Sequence, residues 1–154
     1  MFVHATSVAL MNGRRWRAVL LRGPSGAGKS DLALRLIETG GRLIADDQTH
    51  LARKGGALIA TAPPALAGMI EVRGLGILKL GRDQLLAAAP LALLVDLVRP
   101  EEVDRLPEPA HETVNDIDLP RLALAPFEIS SVTKLRLALT RIPAASSRAL
   151  RHAR

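Results

Sequence analysis

Gly23-Pro24-Ser25-Gly26-Ala27-Gly28-Lys29-Ser30 is the run of this 154-residue chain whose residue types and spacing most directly specify chemistry. It fits the pattern G-x-x-x-x-G-K-[ST] at every fixed position. Glycines at these places let successive backbone N–H groups turn inward on phosphate oxygens, and a helix starting at the end of the run adds its partial positive charge. In such a loop Lys29 reaches the β- and γ-phosphates of a nucleotide, and the Ser30 hydroxyl serves as a Mg²⁺ ligand. The run therefore predicts nucleotide binding. What is done with the nucleotide has to come from other residues.

Four acids are candidates. Asp46-Asp47 closes the short apolar run Arg42-Leu43-Ile44-Ala45. In an α/β sheet the carboxyl ends of strands gather where phosphates bind. Two adjacent carboxylates there can divide the work, one as base toward an acceptor hydroxyl and the other toward metal, water or a cation. The bland alternative is a solvated turn with two acids; the position relative to the phosphate loop favours the functional reading. Glu71 and Arg73 lie two apart in a glycine-bearing apolar stretch, so on a strand they share a face. A carboxylate and a guanidinium together suit Mg²⁺ and phosphate, and equally suit a surface ion pair. Asp96, after Leu93-Leu94-Val95, imitates the acid that ends a nucleotide-binding strand, but the apolar run continues beyond it, which ranks it below Asp46-Asp47. By residue type alone His4 reads as structural and Arg105 as a solvated loop residue. The four histidines show no metal-ligand spacing.

These residues need elements to position them. Residues 17–22 predict a buried strand feeding the loop, and residues 29–38 an amphipathic helix closed by Gly40-Gly41. Residues 2–11 read as one strand, returning through an Asn12-Gly13 hairpin. Extended segments or strands are also expected at 42–45, 48–53, 57–61, 91–98 and 119–124, and residues 69–78 are apolar but punctuated by a Glu, an Arg and two Gly. A short helix is expected at 83–89, a long loop over 101–118, and a helix capped by Ser130-Ser131 running to 140. Only two or three helices are defensible. A parallel doubly wound chain of this length would show four or five, so the pattern predicts a mixed sheet around one central helix.

Composition narrows the classes. The length favours one domain with one core. Phe2, Trp16 and Phe127 are the only aromatic residues, which argues against a base-stacking nucleic-acid platform. The net charge of +6 suits phosphate ligands or an acidic partner, although much of the excess lies near the C-terminus. The absence of cysteine excludes disulfides and thiolate chemistry. No apolar run approaches membrane-spanning length and no signal peptide is visible, so no membrane association and a cytoplasmic location are expected.

His4, the loop 23–30, the phrase Arg42-Leu43-Ile44-Ala45-Asp46-Asp47 and the phrase Ile70-Glu71-Val72-Arg73-Gly74-Leu75-Gly76-Ile77 together resemble the C-terminal catalytic domain of HPr kinase/phosphorylase. The likeness is good from His4 to about Leu80 and thins to Val103-Asp104-Arg105-Leu106. It implies an α/β P-loop fold of the phosphoenolpyruvate-carboxykinase-like type, with a mixed β-sheet around the loop helix. The catalytic domain is then expected at 1–141, and the Ala/Ser/Arg-rich composition of 142–154 predicts a basic, flexible tail. ATP and Mg²⁺ would be the cofactors, with Ser30 and Glu71 as metal ligands and Lys29 on the β/γ-phosphates. One of Asp46 and Asp47, with Asp47 preferred, would take the proton from the acceptor serine. The resemblance also brings His4, Arg73 and Arg105 into the active site. The partner would be HPr, the bacterial phosphocarrier, or its nitrogen-system paralogue, and the assembly a homo-oligomer, hexameric in the family.

Two departures stand out. The chain begins almost at His4, as in a compact form limited to the catalytic domain. The family's P-V-x-P-G-R-N segment is replaced by Leu124-Ala125-Pro126-Phe127-Glu128-Ile129-Ser130, which lacks the expected arginine and bears on the reverse, phosphorylase reaction more than on the kinase. A protein-serine kinase is thus the first expectation. A small-metabolite kinase on the same loop and a non-catalytic ATP-binding regulator are the alternatives.

Overall fold

In the computed structural model, which describes residues 1–143, the apolar run before the loop is the middle of the molecule. It forms β3 (Arg15–Arg22), paired antiparallel with β2 (Thr6–Asn12) on one side and parallel with β9 (Ala88–Leu97) on the other. Alternate residues of β3 face opposite ways. Val19 and Leu21 join one buried cluster, while Ala18 and Leu20 join the other. Both faces of the strand are covered, which is why it reads as a continuous hydrophobic run rather than an alternating one.

The loop leads into α1 (Lys29–Glu38), whose buried residues Lys29, Leu32, Ala33, Leu36 and Ile37 recur at helical spacing. The four apolar ones belong to the first cluster, beside α2 (Ser131–Thr140), which contributes Leu135 and Leu139. Gly40, at φ 102°, ends α1, and the Gly41 N–H donates to the Leu36 carbonyl at 2.8 Å. The chain then forms β4 (Arg42–Ala45), antiparallel to β2. Running opposite to β2, β4 points the same way as β3, so its carboxyl end and the phosphate loop emerge at the same end of the sheet.

The far edge of β9 forks. Its first residues pair antiparallel with β6 (Ala57–Thr61), which continues to β5 (Thr49–Lys54) and β1 (Phe2–Val3). Its last residues pair parallel with β11 (Ile117–Leu124), which carries β10 (Ala110–Val114). A separate hairpin, β7 (Met69–Val72) and β8 (Gly76–Lys79), stands off this sheet. No helix among the described residues is long and apolar enough to cross a membrane. The expected mixed sheet around a central helix is what the chain builds.

Several expectations need correction. Residues 2–11 form two strands, because the chain breaks at His4–Ala5 and β1 pairs with β5 instead of continuing β2. The helix expected at 83–89 is a single 3₁₀ turn, Arg82–Gln84, and Ala88 already lies in β9. Pro90 disfavours the helical conformation at Ala89, and pairing with β6 overrides the helix propensity of the alanines. The loop expected over 101–118 contains β10 and a two-residue turn into β11. Asn115 and Asp116, at φ 47° and 63°, supply the two left-handed residues that such a turn requires. Ser130 makes no side-chain cap to α2, and the Ser131 hydroxyl instead accepts from Arg35 Nη1 at 2.7 Å. The tail reading concerned residues 142–154, of which 144–154 lie outside the described residues.

Asp96 has a structural role. Arg22 donates to it at 2.8 and 3.2 Å and to Glu112 at 2.6 and 3.0 Å, tying β3, β9 and β10 together. The Arg22 hydrogen bonds, with a smaller contribution from Arg121, hold the Glu112 carboxyl below its ordinary value of 4.5. Donation to the Glu112 carboxylate raises the Arg22 guanidinium, which therefore stays charged across the working pH range. A carboxyl whose folded value is depressed contributes stability that is fully present above about 4.5 and is lost as pH falls through the lower folded value. Both groups are partly exposed, so solvent screening keeps the contribution modest. Glu112→Gln should lower stability at neutral pH and flatten the acid limb of the stability curve. Urea denaturation at pH 7 and through the acid range measures both, and an acid limb as steep as that of the parent would count against this assignment.

Candidate active site

The phosphate loop holds a conformation that its glycines alone permit. Gly28 sits at φ 100°, and a Cβ built there would lie 2.9 Å from Phe127 Cζ and 3.3 Å from Pro126 Cγ. Both the backbone angle and the wall of residues 126–127 exclude a side chain. The first backbone N–H groups of α1 have no side-chain cap, the arrangement that receives an anion. Lys29 is buried, and its Nζ donates to the carbonyls of Gly23 and, at 3.2 Å, Pro24. Its ammonium is thus folded onto the loop that it would serve.

Asp46 and Asp47 have separate environments. Asp46 Oδ1 accepts from Ser30 Oγ at 2.7 Å and from Thr6 Oγ1 at 3.1 Å, and its Oδ2 accepts from the Glu71 backbone N–H at 3.0 Å. It joins the helix that follows the loop, the strand beside it and the β7–β8 hairpin. Asp47 is exposed, at φ 65°, with its backbone N–H donating to Thr6 Oγ1 at 3.0 Å. That left-handed turn sets the two neighbouring side chains in different directions. Asp47 Oδ1 meets His4 Nε2 at 3.3 Å, both side chains 60% exposed.

Thr6 is a site residue that the sequence reading missed. It is fully buried, and its one hydroxyl donates to Asp46 while accepting from Asp47. The available signal was a pair of polar residues, Thr6-Ser7, opening an apolar strand. Thr6→Val keeps the shape but leaves the Asp47 N–H without its acceptor and removes one donor from Asp46. Loss of a buried hydrogen-bond partner costs about 1–3 kcal/mol. The expected result is a lower denaturation midpoint together with reduced turnover, while Thr6→Ser restores both. Unchanged turnover in Thr6→Val would remove Thr6 from the positioning of the acids.

The residues converge on a pocket of about 390 Å³. Ser25, Gly26, Gly28, Lys29 and Ser30 form the loop side, with Asp31 and Leu34 from α1. His4, Asp46 and Asp47, then Glu71, Val72 and Arg73, and Phe127 complete the lining. Glu71 lies in β7 and Arg73 in the turn after it. They make no ion pair with each other among the described residues, and both line the pocket. Arg105 lies in the exposed segment between the 3₁₀ turn Pro100–Glu102 and β10 and does not line the pocket. Asp96 is likewise absent from the lining.

The donor set fits a hard divalent cation. The Ser30 hydroxyl is oriented by its short hydrogen bond to Asp46, and Glu71 lines the same pocket. Oxygen donors of this kind, few in number, suit Mg²⁺, which keeps waters and takes its remaining ligands from phosphate. Among the described residues no cluster of three His, Cys, Asp or Glu side chains forms an all-protein metal cage.

Comparison with known proteins gives a consistent result. A family model described as the HPr serine kinase C-terminal domain matches residues 4–135. The chain is 38% identical over 115 residues to the HPr kinase/phosphorylase of Geobacillus thermodenitrificans, covering 69% of this chain and 37% of that protein. It is 42% identical over 109 residues to that of Burkholderia cenocepacia, covering 66% and 34%. The chain thus spans roughly a third of the length of these relatives. Among solved structures, the Hpr(Ser) kinase/phosphatase from Coxiella burnetii superposes with a TM-score of 0.76 at 26% identity, covering 92% of this chain and 88% of that one. A curled mixed sheet, a phosphate loop feeding its central helix and a matched span of residues 4–135 agree on one assignment: the chain belongs to the HPr serine kinase C-terminal domain family.

Proposed function

We propose that this protein is an ATP- and Mg²⁺-dependent serine kinase acting on HPr or its nitrogen-system paralogue. The observation that carries the proposal is the convergence of the phosphate loop, the exposed Asp47–His4 pair and Glu71 on one pocket. A nucleotide-only site needs the loop; an exposed carboxylate across the pocket adds a place to take a proton from an acceptor.

The acceptor serine would enter from the open side and give its proton to Asp47 as its oxygen attacks the γ-phosphorus. The bond from that phosphorus to the bridging oxygen breaks, and ADP leaves. His4 holds one oxygen of Asp47 and leaves the other for the acceptor. Asp46 orients Ser30 and, through the Glu71 backbone, the β7–β8 hairpin. Lys29 exchanges its loop carbonyls for the β/γ-phosphates. Ser30 and Glu71 would hold Mg²⁺, which would supply charge neutralisation to the phosphates. Arg73 lines the same pocket, where a cation can stabilise the transferring group. Arg105 can join only if its exposed segment moves toward the pocket.

Around this site we assign a catalytic domain to residues 1–141 and a basic tail to 142–154. The phosphoenolpyruvate-carboxykinase-like type of P-loop fold is supported by the mixed rather than all-parallel sheet. A cytoplasmic homo-oligomer, hexameric as in the family, is the assembly to test by light scattering.

The deciding experiment incubates the protein with ATP, Mg²⁺ and HPr and locates phosphate by mass spectrometry, followed by addition of inorganic phosphate to the product. One phosphoserine on HPr is expected, with weak reversal because residues 124–130 lack the arginine tied to the reverse reaction. Intact ATP binding with no transfer to either carrier would favour a regulator instead.

A further inference from the structure

The loop and the acids account for the polar lining of the pocket, but one wall has a different chemistry. Phe127 is 70% exposed, yet it lines the pocket and its ring lies against the loop, as the 2.9 Å approach to a Cβ on Gly28 shows. The ring is not on a loose segment. Arg35 of α1 donates to the Pro126 carbonyl and to Ser131 Oγ, fastening residues 126–131 to the helix that begins at the phosphate loop. Ala125 and Pro126 are buried beside it.

We propose that Phe127, with Leu34 lining the same pocket, forms the subsite on which the purine base of the nucleotide stacks. This rests on the nucleotide reading of the loop given above. Phosphates held at Gly28–Ser30 lie next to the ring, so the remainder of the nucleotide has an aromatic face within reach. The rest of the lining is chiefly backbone, carboxylates and cations, with Val72 and the His4 imidazole, and His4 is paired with Asp47. The other two aromatic residues are engaged elsewhere: Phe2 with His50 at 4.9 Å between ring centroids, and Trp16 beneath the Arg42 guanidinium at 5.0 Å. Phe127 follows β11, which runs parallel to β9 and β3, so it sits at the carboxyl ends of parallel strands, where α/β sheets take their ligands. Ile129 is fully exposed nearby but does not line the pocket, which separates the ring's role from that of a general apolar patch.

Calorimetric titration of the full chain with ATP and with inorganic tripolyphosphate, both with Mg²⁺, tests this. Base–aromatic stacking predicts that Phe127→Ala weakens ATP binding about 10- to 100-fold. Tripolyphosphate affinity should be unchanged, and Phe127→Trp should keep ATP binding. Because Phe127 is exposed, the thermal midpoint should not move. An equal loss for both ligands would reduce Phe127 to a support of the loop and overturn the subsite. So would unchanged ATP affinity with a raised KM for HPr, which would make the ring a docking contact. Wild-type protein that binds tripolyphosphate as tightly as ATP sinks the stacking subsite alone. Wild-type protein that binds neither sinks the nucleotide reading with it.

Discussion

Asp47→Asn is expected to lower phosphoryl transfer to the acceptor serine by about 10²- to 10⁴-fold, the range that a positioned general base contributes. The substitution is nearly isosteric. It keeps an oxygen for His4 Nε2, and the backbone N–H still donates to Thr6. Asparagine also tolerates the left-handed φ of 65° at this position. What disappears is the ability to accept a proton. ATP affinity and the denaturation midpoint should therefore stay near those of the parent, with the loss falling on kcat. Asp46→Asn should behave differently. An amide cannot accept on both of its arms as the carboxylate does, and three hydrogen bonds to Thr6, Ser30 and the Glu71 backbone depend on those arms. Its damage should appear in stability and nucleotide binding as well as in turnover. A rapid-quench comparison of the two variants separates them. Full transfer activity in Asp47→Asn would remove Asp47 as the base and shift attention to His4.

Lys29→Ala is expected to cost about 10²- to 10³-fold in transfer, comparable to removing one preorganised charge-stabilising donor. Two effects combine. The ammonium is lost from the β/γ-phosphates in the transition state, and the carbonyls of Gly23 and Pro24 lose their donor in the unliganded protein. The second effect makes alanine an ambiguous probe, because a loosened loop also lowers activity. Lys29→Met retains the buried stem and removes the charge alone. If both variants lose transfer to the same extent, the charge dominates. If Lys29→Met retains parent-like transfer, the role given to the ammonium is wrong. Measuring kcat and ATP affinity separately for each variant makes the distinction.

Local patterns announced the parts of the site that depend on local geometry. The loop needs glycine at Gly28 because of a backbone angle, and a lysine and hydroxyl at fixed offsets from it; these are short-range constraints, visible in a string of letters. The same holds for the helical spacing of α1 and the apolar runs of β3 and β9. Glu71 and Arg73 were identifiable as charges in an apolar stretch, but the choice between an ion pair and a shared pocket was not available until β7 was seen facing Asp46. Errors fell where long-range pairing outweighs local preference. The alanines near 88 became strand because β6 offers them hydrogen bonds, and the polar segment before 118 became a hairpin because β11 lies along β9.

The amino-acid sequence by itself determined that a loop of the phosphate-binding pattern joins a buried strand to an amphipathic helix, and that two acids and a Glu-x-Arg phrase follow at set distances. Those are consequences of residue type and spacing. Only the tertiary structure decided what each acid touches. The antiparallel register of β4 on β2 brings Thr6 beneath Asp46-Asp47, and its single hydroxyl holds both. Asp46 then turns inward to Ser30, while the left-handed backbone at Asp47 turns it out to His4. Two neighbouring aspartates are identical as letters. Their surroundings differ because Thr6, Ser30 and the Glu71 backbone, 40, 16 and 25 positions away in the chain, all donate to the Asp46 carboxylate, while the exposed Asp47 carboxylate meets His4 alone among the described residues.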